Sequence, residues 1–134
     1  MKPVPVSCPC GSGALYAACC EPLHRGGAAI DAAALMRSRY CAYVLKLEPY
    51  LLSTWHASTR PAALGLAAQI PAPRWLGLEV RQHEENADDR AVVEFVARYR
   101  VGGGRAQRLH ETSRFLREDG RWFYLDGEFA TKIS

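Results

Sequence analysis

Ala91-Val92-Val93-Glu94-Phe95-Val96-Ala97-Arg98-Tyr99-Arg100-Val101 is the stretch that decides the fold. Val93, Phe95, Ala97 and Tyr99 share one parity, while Glu94, Arg98 and Arg100 share the other, the pattern of a strand with one buried and one solvated face. Three neighbouring segments read the same way: Arg74 to Glu84, Arg105 to Arg117 and Arg121 to Leu125. Between them lie Asn86-Ala87-Asp88-Asp89, Gly102-Gly103-Gly104 and Asp119-Gly120, all turn-forming runs. The spacing predicts a four-stranded antiparallel meander with helices covering its apolar face.

Upstream the period changes. Asp31 is placed to cap a helix in which Met36, Tyr40, Tyr43, Val44 and Leu47 fall on one stripe and Arg37, Ser38 and Lys46 lie elsewhere. Pro49 opens a second short helix that ends near Trp55, and Pro61 opens a third through Ala62, Leu64 and Ala67, stopped by Pro71-Ala72-Pro73. Cys41, inside the first helix, reads as a small packed hydrophobe. The class is therefore α+β, with about three helices on a curved four-stranded antiparallel sheet over residues 28–134. Residues 1–27 form a separate appendage, joined through Arg25-Gly26-Gly27-Ala28.

That appendage carries Cys8-Pro9-Cys10 and, eight residues later, Cys19-Cys20. Two close thiol pairs around Gly11-Ser12-Gly13 can converge on one soft tetrahedral ion, so the expected cofactor is a single structural zinc on Cys8, Cys10, Cys19 and Cys20. A redox pair normally reads Cys-x-x-Cys, which is absent, and a vicinal disulfide would be strained. His24 is close enough to replace one thiolate, but four cysteines are the simpler set and His24 reads as a solvated loop residue. A segment this short has almost no apolar core of its own, so loss of the metal is expected to unfold the knuckle and leave the rest folded.

The 134 residues suit one compact domain plus this appendage. No apolar run approaches the roughly 20 residues of a membrane span, and nothing reads as a secretory signal, which points to a cytoplasmic protein without a membrane partner. Four bound thiolates and one zinc bring the formal charge of +3 to about +1, which gives no argument for nucleic acid.

The run from Cys8 to Gly13, followed by Tyr16 and Cys19-Cys20, closely resembles the SEC-C zinc motif, also found as the tail of the preprotein-translocase motor ATPase. That tail docks an acidic export chaperone through lysines around its tyrosine; here Ala14, Leu15, Ala17 and Ala18 stand in their place. The resemblance implies the metal site. The apolar substitutions imply a knuckle that docks on its own domain or on another, unidentified protein. A wider resemblance rests on Leu35 to Tyr43, Thr54-Trp55-His56, Trp75-Leu76-Gly77-Leu78, Ser113-Arg114-Phe115-Leu116 and Trp122 to Gly127. Together these are similar to the YchJ-like bacterial proteins, and imply a SEC-C knuckle followed by a cone of nuclear transport factor 2-like fold.

Such cones often hold small ligands or catalytic groups at an open mouth. Leu109, Glu111, Ser113 and Phe115 share a strand face, so Glu111 is expected to point into the cone, with Trp55, His56 and Ser113 as pocket neighbours. Glu111 and His56 across a pocket could do acid–base work, which is the enzyme alternative. A buried network fixing the helix end to the sheet is the other reading, and the residues favour it. Trp75, Trp122 and Tyr124 read as core aromatics. The opposite parity lines up Arg98, Arg100, Arg108, His110 and Arg114, a stripe that either follows RNA or is an ordinary solvated face. The function this supports is a zinc-containing binding or adaptor protein, the knuckle recognising a protein and the cone serving as scaffold or small-ligand pocket. A small-molecule enzyme and an RNA- or ribosome-associated protein are the alternatives.

Overall fold

The computed structural model describes residues 6–129. A 3-10 turn (Tyr16–Ala18) and a short helix α1 (Glu21–His24) close the cysteine-rich appendage. Helix α2 (Ala32–Leu45) begins where Asp31 Oδ1 accepts the Ala34 N–H at 2.7 Å, and its first turn is three alanines, the best helix formers. It stops at Lys46, whose backbone turns left-handed at φ 60° so that the Leu47 N–H reaches back to the Ala42 carbonyl at 2.8 Å. Pro49 then sits in the first turn of α3 (Glu48–Ser53), where a missing N–H costs nothing.

The third expected helix does not form. Residues 61–65 are irregular and only Leu66–Ala68 makes a 3-10 turn. The Glu48 carboxylate accepts the N–H groups of Leu64 at 3.0 Å and Leu66 at 2.9 Å, and Gly65 between them takes φ 69°. A side chain from another helix thus satisfies the donors at the start of that 3-10 turn, as a cap does.

Strands β1 (Pro73–Asn86), β2 (Arg90–Val101), β3 (Gln107–Glu118) and β4 (Arg121–Phe129) form an antiparallel sheet in the order β1-β2-β3-β4. Irregular pairing between Trp75 and Gly77, between Val80 and Gln82, and beside Arg114 interrupts the ladder, and such bulges bend a sheet. Ala91, Val93, Phe95 and Ala97 on β2 and Phe115 on β3 are all buried against the helices, as strand parity predicts. The sheet also captures the end of α3. Tyr124 donates its N–H to the Thr54 carbonyl and accepts the His56 N–H, both at 2.8 Å.

α2 is buried on two sides. Towards the sheet, Tyr40 and Tyr43 pack on Trp75 with ring centroids 5.8 and 6.0 Å apart. Towards the appendage, Cys8, Cys10 and Cys20 join Leu35, Met36 and Cys41 in one continuous core. Ser38, expected off the apolar stripe, is fully buried on this second side. Its hydroxyl reaches the Leu35 carbonyl at 2.7 Å and the Tyr50 hydroxyl at 2.6 Å, which satisfies it without water.

One glycine in the sheet is required. Gly127 faces Ser113 across β3–β4, and a Cβ at 127 would overlap the Glu111 carboxylate. Gly127→Ala is therefore expected to lower stability by about 2–3 kcal/mol in urea unfolding. In a Glu111→Ala background most of that loss should disappear; an equal loss in both backgrounds would place the strain elsewhere.

Candidate functional site

The appendage brings its thiols together through a short backbone framework. The Cys8 N–H donates to the Ala14 carbonyl at 2.9 Å and the Gly11 N–H to the Cys8 carbonyl at 3.1 Å. Gly11 and Gly13 take φ 80° and 88°, a region open to glycine at no steric cost. The 3-10 turn then delivers Cys19 and Cys20. The sulfurs of Cys8, Cys10, Cys19 and Cys20 all lie within 4.8 Å of one another. A tetrahedral thiolate site with metal–sulfur bonds of about 2.3 Å has sulfur–sulfur edges of about 3.8 Å. Cys10 to Cys19 is 3.6 Å and Cys19 to Cys20 is 4.0 Å, so the donor set fits a metal ion.

The electrostatics favour deprotonation in one place and oppose it in others. The Cys10 thiol is lowered to about 4, chiefly by the hydrogen bond from Cys20 and further by Ser12, whereas burial pushes Cys8 up to about 12. Metal binding must therefore expel protons from the remaining thiols. Ser12 Oγ lies 3.1 Å from Cys19 Sγ and can donate to that thiolate.

One neighbour differs from its sequence reading and another agrees with it. His24 is no solvated loop residue: its Nδ1 meets the Tyr16 hydroxyl at 2.7 Å, its Nε2 meets the Ser38 carbonyl at 2.8 Å, and its ring stands edge-on to Tyr50 at 4.7 Å. Nδ1 is committed within the appendage, and Nε2 fastens the appendage to α2. Cys41 is fully buried in the core, as a small packed hydrophobe should be, and the neighbouring Cys20 thiol holds its own thiol below the usual range. It is a fifth sulfur behind the four. The signal available in the sequence was its place one helical turn from Ser38 and Arg37, whose side chain reaches the Cys10 carbonyl at 3.4 Å.

The second site is a cavity of about 320 Å³ between α2 and the sheet, walled largely by aromatic side chains that include Tyr43, Trp55, Trp75 and Phe95. Glu111 is 6% exposed on its wall, on the inner face that parity assigns it. Its Oε2 accepts the Ser113 hydroxyl at 2.8 Å and the Tyr124 hydroxyl at 2.9 Å. Oε1 takes no hydrogen bond from the described residues. Burial, reinforced by the Glu111 charge and hydrogen bond, raises the Tyr124 phenol well above its usual range, so it stays a donor.

A buried cation completes the wall. Arg39 is 5% exposed, donates through Nη1 to the Leu51 carbonyl at 2.8 Å and to Thr54 Oγ1 at 2.6 Å, and lies 4.6 Å from the Tyr124 ring and 5.2 Å from the Trp55 ring. The two rings and two acceptors offset the cost of burying its charge. Arg39 was legible in principle, since it falls three residues after Met36 and four before Tyr43 on the apolar stripe.

The proposed acid–base pair is not assembled. His56 points away from the cavity: its Nε2 is 3.2 Å from Glu118 and its Nδ1 is 2.8 Å from Ser58. The chain reverses after α3, so that the His56 backbone pairs with β4 and its ring stands edge-on to Phe123. Trp55 lines the cavity, but its indole N–H goes to Thr59 at 3.2 Å. Trp75 and Tyr124, read as core aromatics, also face the cavity, while Trp122 is buried in the core.

A cysteine-rich metal-type knuckle fused to an α+β cone with a helix-covered cavity defines a class of two-part proteins, and the comparisons place this chain within it. The SEC-C motif model matches residues 7–22, and the model described as YchJ, middle NTF2-like domain, matches residues 31–127. The chain belongs to the YchJ family. It is 59% identical to a UPF0225 protein of Methylibium petroleiphilum, over 99% of this chain and 96% of that one, and 55% identical to a UPF0225 protein of Chromobacterium violaceum, over 96% and 97%. The solution structure of a SEC-C motif containing protein from Rhodopseudomonas palustris matches with a TM-score of 0.83 at 40% identity, covering 94% of this chain and all of that one.

Cys19→Ser should lose most of its bound metal, whereas Cys41→Ala should retain it and unfold about 1–2 kcal/mol more easily, because only a buried contact is removed. Metal content measured after gel filtration at stepped pH should fall as pH falls, since protons compete for the thiolates. Metal retained by Cys19→Ser and lost by Cys41→Ala would assign the ligands differently.

Proposed function

We propose that this chain is a zinc-stapled small-molecule-binding protein. The observation that carries the reading is the cavity with the Glu111 carboxylate on its wall, two donors holding one oxygen and the other taking no hydrogen bond from the described residues. A fixed carboxylate among aromatic walls selects a flat, largely apolar molecule with one O–H or N–H donor. The volume is near the lower bound of about 300 Å³ for ligand pockets, which favours a compact ligand.

Zinc is the ion that suits four thiolates in a closed tetrahedral site. The knuckle's inner face is committed to α2, which leaves the exposed loop Gly11–Leu15 with Ala17 and Ala18 as the surface on which a protein partner would dock. Among the described residues all five cysteines are free, a state suited to a reducing cytoplasm. The catalytic alternative has less support, because His56 is bound elsewhere.

Elemental analysis of protein purified without chelator should give one zinc per chain; clearly less, with four freely titratable thiols, would contradict the metal reading. For the cavity, 2-naphthol should quench the tryptophan fluorescence saturably. 2-Methoxynaphthalene, of similar shape without the donor, should bind about ten-fold more weakly, and Glu111→Gln should remove most of that difference. Absence of saturable binding by either compound would leave the cone as a scaffold.

A further inference from the structure

Beside Glu111, the cavity wall carries a second ionic group with hydrogen-bonding capacity to spare. Of the N–H donors on its guanidinium, Arg39 commits Nη1 twice, to the Leu51 carbonyl and to Thr54 Oγ1. Those on Nε and Nη2 meet no acceptor among the described residues. The Trp55 and Tyr124 rings near its Cζ offset the charge but offer no oxygen to this edge. Glu111 is the counterpart, with Oε2 accepting from Ser113 and Tyr124 and Oε1 from no described residue. Among the described residues, no side-chain nitrogen or oxygen is shut away from solvent-accessible space without a partner. The spare edge of Arg39 and the spare oxygen of Glu111 are therefore open to such space, although the two residues are buried, and both line the cavity.

The two groups do not satisfy each other. Arg39 and Glu111 form no ion pair, the ordinary way to offset two opposite charges in an apolar surrounding. Tyr124 links them instead: its ring lies 4.6 Å from the Arg39 Cζ, and its hydroxyl donates to Glu111 at 2.9 Å. One phenol side chain thus sets their spacing, too wide for an ion pair and narrow enough for a single two-ring molecule to touch both. Leaving such groups unmatched in an apolar cavity is costly. What matches them must accept from Arg39 and donate to Glu111. A carboxylic acid would bring an acceptor to Arg39 but a second negative charge to Glu111, and an amine would reverse the conflict. A neutral cyclic amide avoids both, with its carbonyl and N–H side by side in the plane of a flat ring that suits walls built from Tyr43, Trp55 and Trp75.

We infer that the cavity takes a flat, neutral lactam, its carbonyl accepting from Arg39 and its N–H donating to Glu111. Granted that the cavity is a ligand site, as proposed above, Arg39 joins Glu111 in deciding what enters it. A ligand that only donates would leave the guanidinium edge unmatched, and sites built to pair both groups discriminate strongly against molecules lacking one of them.

Equilibrium dialysis of the full, metal-loaded chain against 2-quinolinone, N-methyl-2-quinolinone and 2-naphthol is the test. The three have similar shape. The first offers carbonyl and N–H on one edge, the second the carbonyl without the donor, and the third a hydroxyl in place of the pair. 2-Quinolinone should bind about ten-fold more tightly than either of the others. Arg39→Lys keeps the charge and removes the fork, so it should bring 2-quinolinone to within about two-fold of 2-naphthol while 2-naphthol itself binds nearly as before. Metal content and circular dichroism establish that the variant is folded, and if it is not, the wild-type series decides. Saturable binding of 2-naphthol with no advantage for 2-quinolinone would overturn the lactam assignment and leave the cavity a site that selects a donor alone. An advantage kept in full by folded Arg39→Lys would overturn it as well. Binding by none of the three would overturn both the lactam assignment and the ligand site on which it rests.

Discussion

Everything in this molecule turns on α2 being buried from both sides. A helix on the surface of a small α+β domain ordinarily shows one apolar stripe to the sheet and a polar face to water. Here the second face carries Ser38 and Cys41, and the cysteine knuckle closes over it, with His24 pinned between Tyr16 and the Ser38 carbonyl. A domain of this size gains little from a single core. Extending that core through the helix into the cysteine-rich loop adds buried area with only a 3-10 turn and the short α1 as regular structure. The consequence is that the described residues of the appendage and of the cone share one hydrophobic cluster.

The same helix positions the cavity. Met36, Arg39, Tyr40 and Tyr43 form its roof and the inner parity of β2, β3 and β4 its floor. Arg39 ties that roof to the end of α3 through Leu51 and Thr54, and α3 in turn is stitched to β4 through Thr54, His56 and Tyr124. The polar groups around Glu111 have a structural role, since one carboxylate oxygen holds Tyr124 and Ser113. A charge buried beside aromatic rings is costly unless its partners are fixed, and these two hydroxyls fix it.

The features that the sequence made legible were those governed by local periodicity. Strand parity located Glu111 and Ser113 on the inner face because the period of two admits only two answers. The spacing of Cys8, Cys10, Cys19 and Cys20 located the thiol cluster because so short a loop leaves few other arrangements. What stayed hidden depends on long-range partners. The expected helix after Pro61 is reduced to a 3-10 turn whose leading N–H groups are held by the distant Glu48. The reversal after α3 sends His56 to Glu118 and away from Glu111. Ser38 could not be placed before it was known that the knuckle folds onto α2, and Arg74 could not join the outer arginines before the register with Arg100 was fixed.

If the knuckle and the cone share a core through α2, metal removal must weaken the cone. All three tryptophans lie in the cone, so their fluorescence reports its unfolding without a contribution from the knuckle. Urea unfolding of the metal-loaded chain should be compared with that of chain treated with chelator under reducing conditions. The shared core predicts that the cone still unfolds cooperatively after chelation, but at a clearly lower midpoint. An unchanged midpoint, with only the knuckle's own signals lost, would contradict it and show two independent units.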